Sequence, residues 1–150
     1  AKLACEVDQT GWQDQYSAVW PGIRAHTETS HRSLDLSQAT LDALQASLRL
    51  YYTGVRRSSE DVLPHASQDL PALREIAFRA IRTLEIGDLL AFAQTLTDQW
   101  ALKLASHPSE THHWVDHHIR ASQSLGGKLI GAGDGGFILL YAPQTPPRLR

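Results

Sequence analysis

Residues 126–141 read GGKLIGAGDGGFILLY, and this stretch holds six of the ten glycines in a chain of 150 residues. Two strand-like apolar runs, 128–130 and 137–141, flank the connection GAGDGG at 131–136. Glycine loses more backbone entropy on folding than any other residue and packs nothing, so four of them in six positions require a reason. The segment satisfies G-x-G-x-x-G, but a dinucleotide fingerprint must follow a strand and open a helix whose N-terminus holds the pyrophosphate. Here a second strand follows. A Walker A loop fails too, because Leu129 follows Lys128 where Ser or Thr is needed, and the spaced upstream glycine is missing. The spacing predicts a hairpin. Turn geometry explains glycine pairs, while close approach of a ligand or of another backbone explains the surplus equally well.

Working outward, three helical patterns precede the hairpin. Pro71 suits a first helical turn, and Leu73, Ile76, Ala77, Ala80, Ile81 and Leu84 form one apolar face that Gly87 breaks. Leu89, Phe92, Ala93, Leu96, Trp100 and Leu104 form a second, stopped at His107-Pro108. A third spans 109–124, with Trp114, Val115 and Ile119 apolar. Upstream, SLRLYY at 47–52 switches to period two, with Leu48, Leu50 and Tyr52 on one side, and Thr53-Gly54 ends that strand. Ser37 caps a helix carrying Leu41 and Leu44. Residues 22–36 alternate weakly, through Ile23, Ala25, Leu34 and Leu36, and suit two short edge strands. Ser58 to Asp61 offers a cap-like helix start, residues 1–7 are helix-compatible, and the proline-rich tail 143–150 is expected to fray. Strands at both ends with helices between them predict an α+β domain, its helices packed on one face of an antiparallel sheet.

Composition narrows the function classes. A net charge of −2 gives no nucleic-acid or membrane footprint. The single cysteine, Cys5, forms no internal disulfide and fits a cytoplasmic setting. No apolar run approaches the ~20 residues of a membrane span, and AKLACEV is not a signal peptide.

Four segments, in order, carry a resemblance. GGKLIGAGDGGFILLY resembles the C-terminal glycine motif of the GHMP small-molecule kinases. LYYTGVRRS at 50–58 resembles the Tyr-Thr-Gly-x-x-Arg segment of their sugar-kinase branch, GWQDQY at 11–16 that branch's aspartate motif, and DQWALK at 98–103 a helix of the same proteins. The group most similar is the heptose 7-phosphate kinases, with fucokinases and galactokinases as cousins. The resemblance implies a GHMP C-terminal-domain-like fold over 37–150, with 1–36 a remnant of the N-terminal kinase domain carrying the aspartate motif. It implies ATP-dependent phosphorylation of a sugar or sugar phosphate hydroxyl with Mg²⁺, and no nucleic-acid or membrane partner.

The resemblance also assigns roles. Asp14 stands where a carboxylate orients or deprotonates the attacking hydroxyl. Arg57 and Lys128 face phosphate oxygens, with Lys128 counted among the catalytic groups beside Asp14. Thr53, Gly54, Gly131, Gly133, Gly135 and Gly136 line the substrate. Asp8, or Glu6, stands where an acid binds Mg²⁺. Asp134 departs from the family, which has glycine there, and a carboxylate beside phosphates repels them unless it turns outward or meets a metal. No segment matches the glycine-serine phosphate loop, whose backbone N–H groups bind ATP. The chain is therefore expected to be a C-terminal portion of a longer kinase or a degenerate copy, inactive by itself with negligible ATP affinity.

Two rival readings follow from other residues. His107, His112, His113, His117 and His118 cluster around one helix, and the i, i+4 pair His113 and His117 could present two imidazoles to zinc; a solvated polar face is the plainer account. Trp12, Tyr16 and Trp20 suit an aromatic binding surface or simple packing. A kinase without its phosphate loop would also leave sheet edges and apolar surface, predicting a non-catalytic domain that self-associates or meets a missing N-terminal half.

Overall fold

The weakly alternating segment forms two strands, β1 (Arg24–His26) and β2 (His31–Ser33), paired antiparallel with His26 opposite His31. A computed structural model describes residues 13–27, 30–55, 69–130 and 135–144, with backbone alone at 13–15. The expected helices at 1–7 and from Ser58, and most of the tail, lie outside them. The chain divides into two units, Ala1–Asp35 and Leu36–Arg150. In the first, α1 (Gln13–Val19) precedes the β1–β2 hairpin, and Gly22 turns the chain between them at φ +85°. The polar, aromatic composition of 10–21 gave no helix signal there.

Leu36–Arg150 is built from polar caps and apolar stripes. Ser37 caps α2 (Gln38–Ser47), its side chain accepting from the Thr40 N–H. Asp69 does the same for α3 (Leu70–Glu85), Asp88 for α4 (Leu89–Ser106) and Ser109 for α5 (Glu110–Ala121). Each such cap satisfies an orphan N–H and contributes about 1 kcal/mol. β3 (Leu48–Tyr52), β4 (Gly126–Ile130) and β5 (Phe137–Tyr141) make one antiparallel sheet in the order β3-β5-β4. β5 pairs on both sides, with Leu50 and Lys128 opposite Leu139, and Tyr51 and Leu129 opposite Ile138.

Cross-strand partners point to the same face, so Tyr51, Leu129, Ile138 and Leu140 share one side. Helices cover it. Trp100 of α4 with Val115 and Ile119 of α5 complete the core around Leu129, Ile138 and Leu140, with Tyr51 and Leu104 packed against it. Helix α4 runs against β4 so closely that a Cβ at Gly126 would stand 2.0 Å from the Ala93 carbonyl oxygen. The fold is thus α+β, with helices on one face of an antiparallel sheet.

Burial adds two details to the sequence reading. Leu48, Leu50 and Tyr52 do share a side, but Leu50 and Tyr52 are exposed, and Tyr51 is the strand residue that reaches the core. Trp114 is not part of the buried stripe of α5: it is exposed and its ring lies against His118.

Candidate functional site

The end of β3 and the second half of the glycine connection are laced together. The Thr53 N–H donates to the Gly136 carbonyl at 2.9 Å, and the Gly136 N–H donates to the Val55 carbonyl at 3.0 Å. The Thr53 hydroxyl donates to the same Gly136 oxygen at 3.0 Å and accepts from the Val55 N–H at 3.3 Å. Gly54 at φ +78° lets the chain double back over that hydroxyl, and Gly136 holds φ +100°, a region closed to most side chains. A Cβ at Gly135 would lie 2.7 Å from the Val55 carbonyl oxygen. At Gly126 and Gly135, then, the close approach that glycine permits is to another backbone.

Lys128 lies on β4, opposite Leu139. Its half-buried ammonium donates to the Gln99 Oε1 of α4 at 2.6 Å and, among the described residues, meets no carboxylate. Burial, and then the neighbouring charge of Lys103, hold the Lys128 pKa below the usual lysine value. The hairpin lysine thereby contacts the 98–103 helix segment, so two segments read separately in sequence meet in space. An amide oxygen satisfies one N–H but none of the charge, and this donor set suits a phosphate or other anion.

The structure brings Thr53, Gly54, Gly135 and Gly136 together at one end of the sheet, with Lys128 on β4 of the same sheet. Asp14 belongs to α1 in the other unit, where backbone alone is described. Asp8, Glu6, Arg57, Gly131, Gly133 and Asp134 lie outside the described residues. The histidines of α5 diverge: His113 and His117 are exposed, whereas His112 is buried edge-on to Trp100, and its Nδ1 meets the His107 carbonyl. Among the described residues no three His, Cys, Asp or Glu side chains converge to hold a metal. Nor is any helix among them long and apolar enough to cross a membrane.

Sequence reasoning missed Gln99 and Val55. Neither has a chemical signature, since each matters only for the atom it offers to a partner distant in sequence. It also missed the paired imidazoles of His26 and His31, whose five-residue separation has meaning only once the hairpin register is known.

Known proteins agree with this architecture. No family model matches the chain. It is 28% identical over 164 residues to L-fucokinase/L-fucose-1-P guanylyltransferase of Bacteroides fragilis, covering 93% of this chain and 17% of that protein. It is 25% identical to D-glycero-alpha-D-manno-heptose 7-phosphate kinase of Campylobacter jejuni, covering 97% of this chain and 50% of that protein. Among solved structures, mevalonate kinase of L. major superposes with a TM-score of 0.65 at 19% identity, over 88% of this chain and 44% of that one. The sequence relatives and structural neighbours thus include sugar and heptose phosphate kinases of the GHMP fold, matched over their C-terminal part. The chain spans no more than half the length of these curated relatives.

Proposed function

We propose that the chain carries the acceptor-side half of a GHMP-type sugar kinase, which transfers phosphate from Mg-ATP to a hydroxyl of a sugar or sugar phosphate. The observation that carries this reading is the lacing of Thr53–Val55 to Gly135 and Gly136. It joins two segments that resemble one kinase branch, in a chain similar over nearly its whole length to fucose and heptose phosphate kinases. Phosphoryl transfer asks little covalent chemistry of a protein; it asks for positioning and for fixed positive charge. Rigid backbone at the Thr53–Gly136 junction supplies the first and the half-buried Lys128 the second. Asp14 orients or deprotonates the acceptor hydroxyl, and Arg57 adds a second cation. Bound Mg²⁺ would neutralise phosphate charge, with Asp8 as its protein ligand by resemblance only.

The test is ADP release by the full-length gene product with heptose 7-phosphate, fucose or other sugars as acceptor. Turnover with at least one acceptor is expected, and D14N should reduce kcat by about 100-fold or more. An ordered, folded product that consumes no ATP with any sugar would overturn the reading. A second reading, a non-catalytic interaction domain, rests on the exposed Leu50, Tyr52 and Phe137 of the sheet. It predicts self-association or partner capture through that face, and a strictly monomeric, catalytically active product would remove it.

A further inference from the structure

Four rings meet within Ala1–Asp35. Tyr16 of α1 stacks on Trp20 with centroids 5.1 Å apart. The His31 ring lies 4.1 Å from Tyr16 and 4.9 Å from Trp20, and the His26 ring 5.7 Å from Tyr16. His26 and His31 are direct cross-strand partners on β1 and β2, and their Nδ1 atoms stand 3.1 Å apart. At that distance one Nδ1–H donates to the other Nδ1, so the two ring nitrogens already face each other across the hairpin. Arg24 donates to the Ser33 hydroxyl at 2.8 Å and to the His31 carbonyl at 3.3 Å, with its guanidinium 5.6 Å from the Trp20 ring. The imidazole of His31 is thus pinned by stacking on one side and through its own backbone on the other.

From this geometry we propose that His26 and His31 form a two-nitrogen chelate for a borderline divalent transition ion, such as Cu²⁺, Ni²⁺ or Zn²⁺, with water completing the shell. Two nitrogens each ~2.0–2.1 Å from one ion and 3.1 Å apart subtend about 100° at the metal, between square-planar and tetrahedral values. Chelation requires the donor ring to move its proton from Nδ1 to Nε2; no proton is gained or lost by the pair. The Arg24 charge opposes a cation and sets a limit on affinity. Imidazole nitrogens do not suit Mg²⁺, which prefers oxygen ligands, so this site is separate from any Mg-ATP chemistry.

The competing two-histidine site is the exposed i, i+4 pair His113 and His117 on α5, and the experiment must tell the two apart. Full chain loaded with one equivalent of Cu²⁺ or Ni²⁺ should show paramagnetic broadening centred on residues 26 and 31 in an amide NMR spectrum. H26N and H31N, each checked for folding by circular dichroism, should weaken binding at least about tenfold. The H113N/H117N double variant should bind as the parent does, and millimolar Mg²⁺ should displace nothing. R24M should bind more tightly than the parent. Broadening centred on residues 113–118, no saturable binding by the parent chain, or equal affinity in H31N would each overturn the proposal. The parent NMR result decides the matter even if a variant fails to fold.

Discussion

Two leucines on opposite faces of the three-stranded sheet, Leu140 and Leu50, meet opposite fates. Leu140 is fully buried under α4 and α5, whereas Leu50, opposite Leu139 on the adjacent strand and so on the other face, is 59% exposed. Tyr51 reaches the core and its neighbour Tyr52 pairs with Phe137 in a half-open aromatic contact at 5.2 Å. Alternation places residues on two sides but does not say which side the helices cover. Coverage is decided elsewhere in the chain, by the closeness of α4 to β4 and by the apolar stripe of α5. On the second face Leu50, Tyr52 and Phe137 stay exposed, while α4 lies along its β4 edge, where Gly126 meets Ala93 and the Lys128 ammonium meets Gln99.

The sharpest way to break this contrast is at the seam that sets coverage. Gly126→Ala would drive a Cβ into the Ala93 carbonyl, backbone against backbone, where no side chain can yield. Loss of about 3–5 kcal/mol, or failure to fold, is expected. A urea titration showing parental stability would mean that α4 does not pack at this distance.

Next in size is a direct comparison of the two faces. Leu140→Ala removes a fully buried side chain and should cost about 3 kcal/mol, transfer and cavity terms together. Leu50→Ser, on the exposed side, should stay within about 0.5 kcal/mol of the parent. Equal losses would show that the second face is covered in solution, which is what the interaction-domain reading requires.

The same contrast explains what could be read beforehand. Ser37, Asp69, Asp88 and Ser109 stand at helix starts because an orphan N–H and a short polar side chain are a local matter. Of these only Ser37 was marked in advance as a cap, but Pro71, Gly87 and His107-Pro108 placed the helix ends correctly. The hairpin was legible because two strand-like runs enclosed glycines. Helix α1 was not, since GWQDQYSAV has no apolar period. In the candidate site, the glycines at 135 and 136 stand out by spacing and Thr53 and Gly54 by resemblance, while their mutual hydrogen bonds depend on the β3–β5 register. Gln99 as partner of Lys128 was invisible because glutamine at a helix surface is ordinarily solvated.

A smaller effect tests the open end of the sheet. Gly136→Ala places a side chain at φ +100°, with its Cβ 3.0 Å from the Ile130 carbonyl oxygen. A cost of about 1–3 kcal/mol is expected, together with a fall in acceptor affinity if the junction with Thr53 positions substrate. Unchanged stability would imply that the connection relaxes freely and positions nothing.

The smallest effect concerns charge at Lys128. Its pKa in the folded chain is lowered by burial first and by Lys103 second, so the folded state holds this proton less tightly than the unfolded state. Between the lowered value and the unfolded lysine value of about 10.4, the unfolded chain binds more protons, and stability rises with pH. Lys128→Met should abolish the rise. The difference in unfolding free energy, parent minus variant, should therefore climb as pH moves from 8 towards 10.5, while titrations common to both proteins cancel. Lys103→Gln should shrink the climb without removing it, because burial remains. A flat difference across that range would mean that the Lys128 ammonium is solvated, and the anion-binding role assigned to it would lose its physical basis.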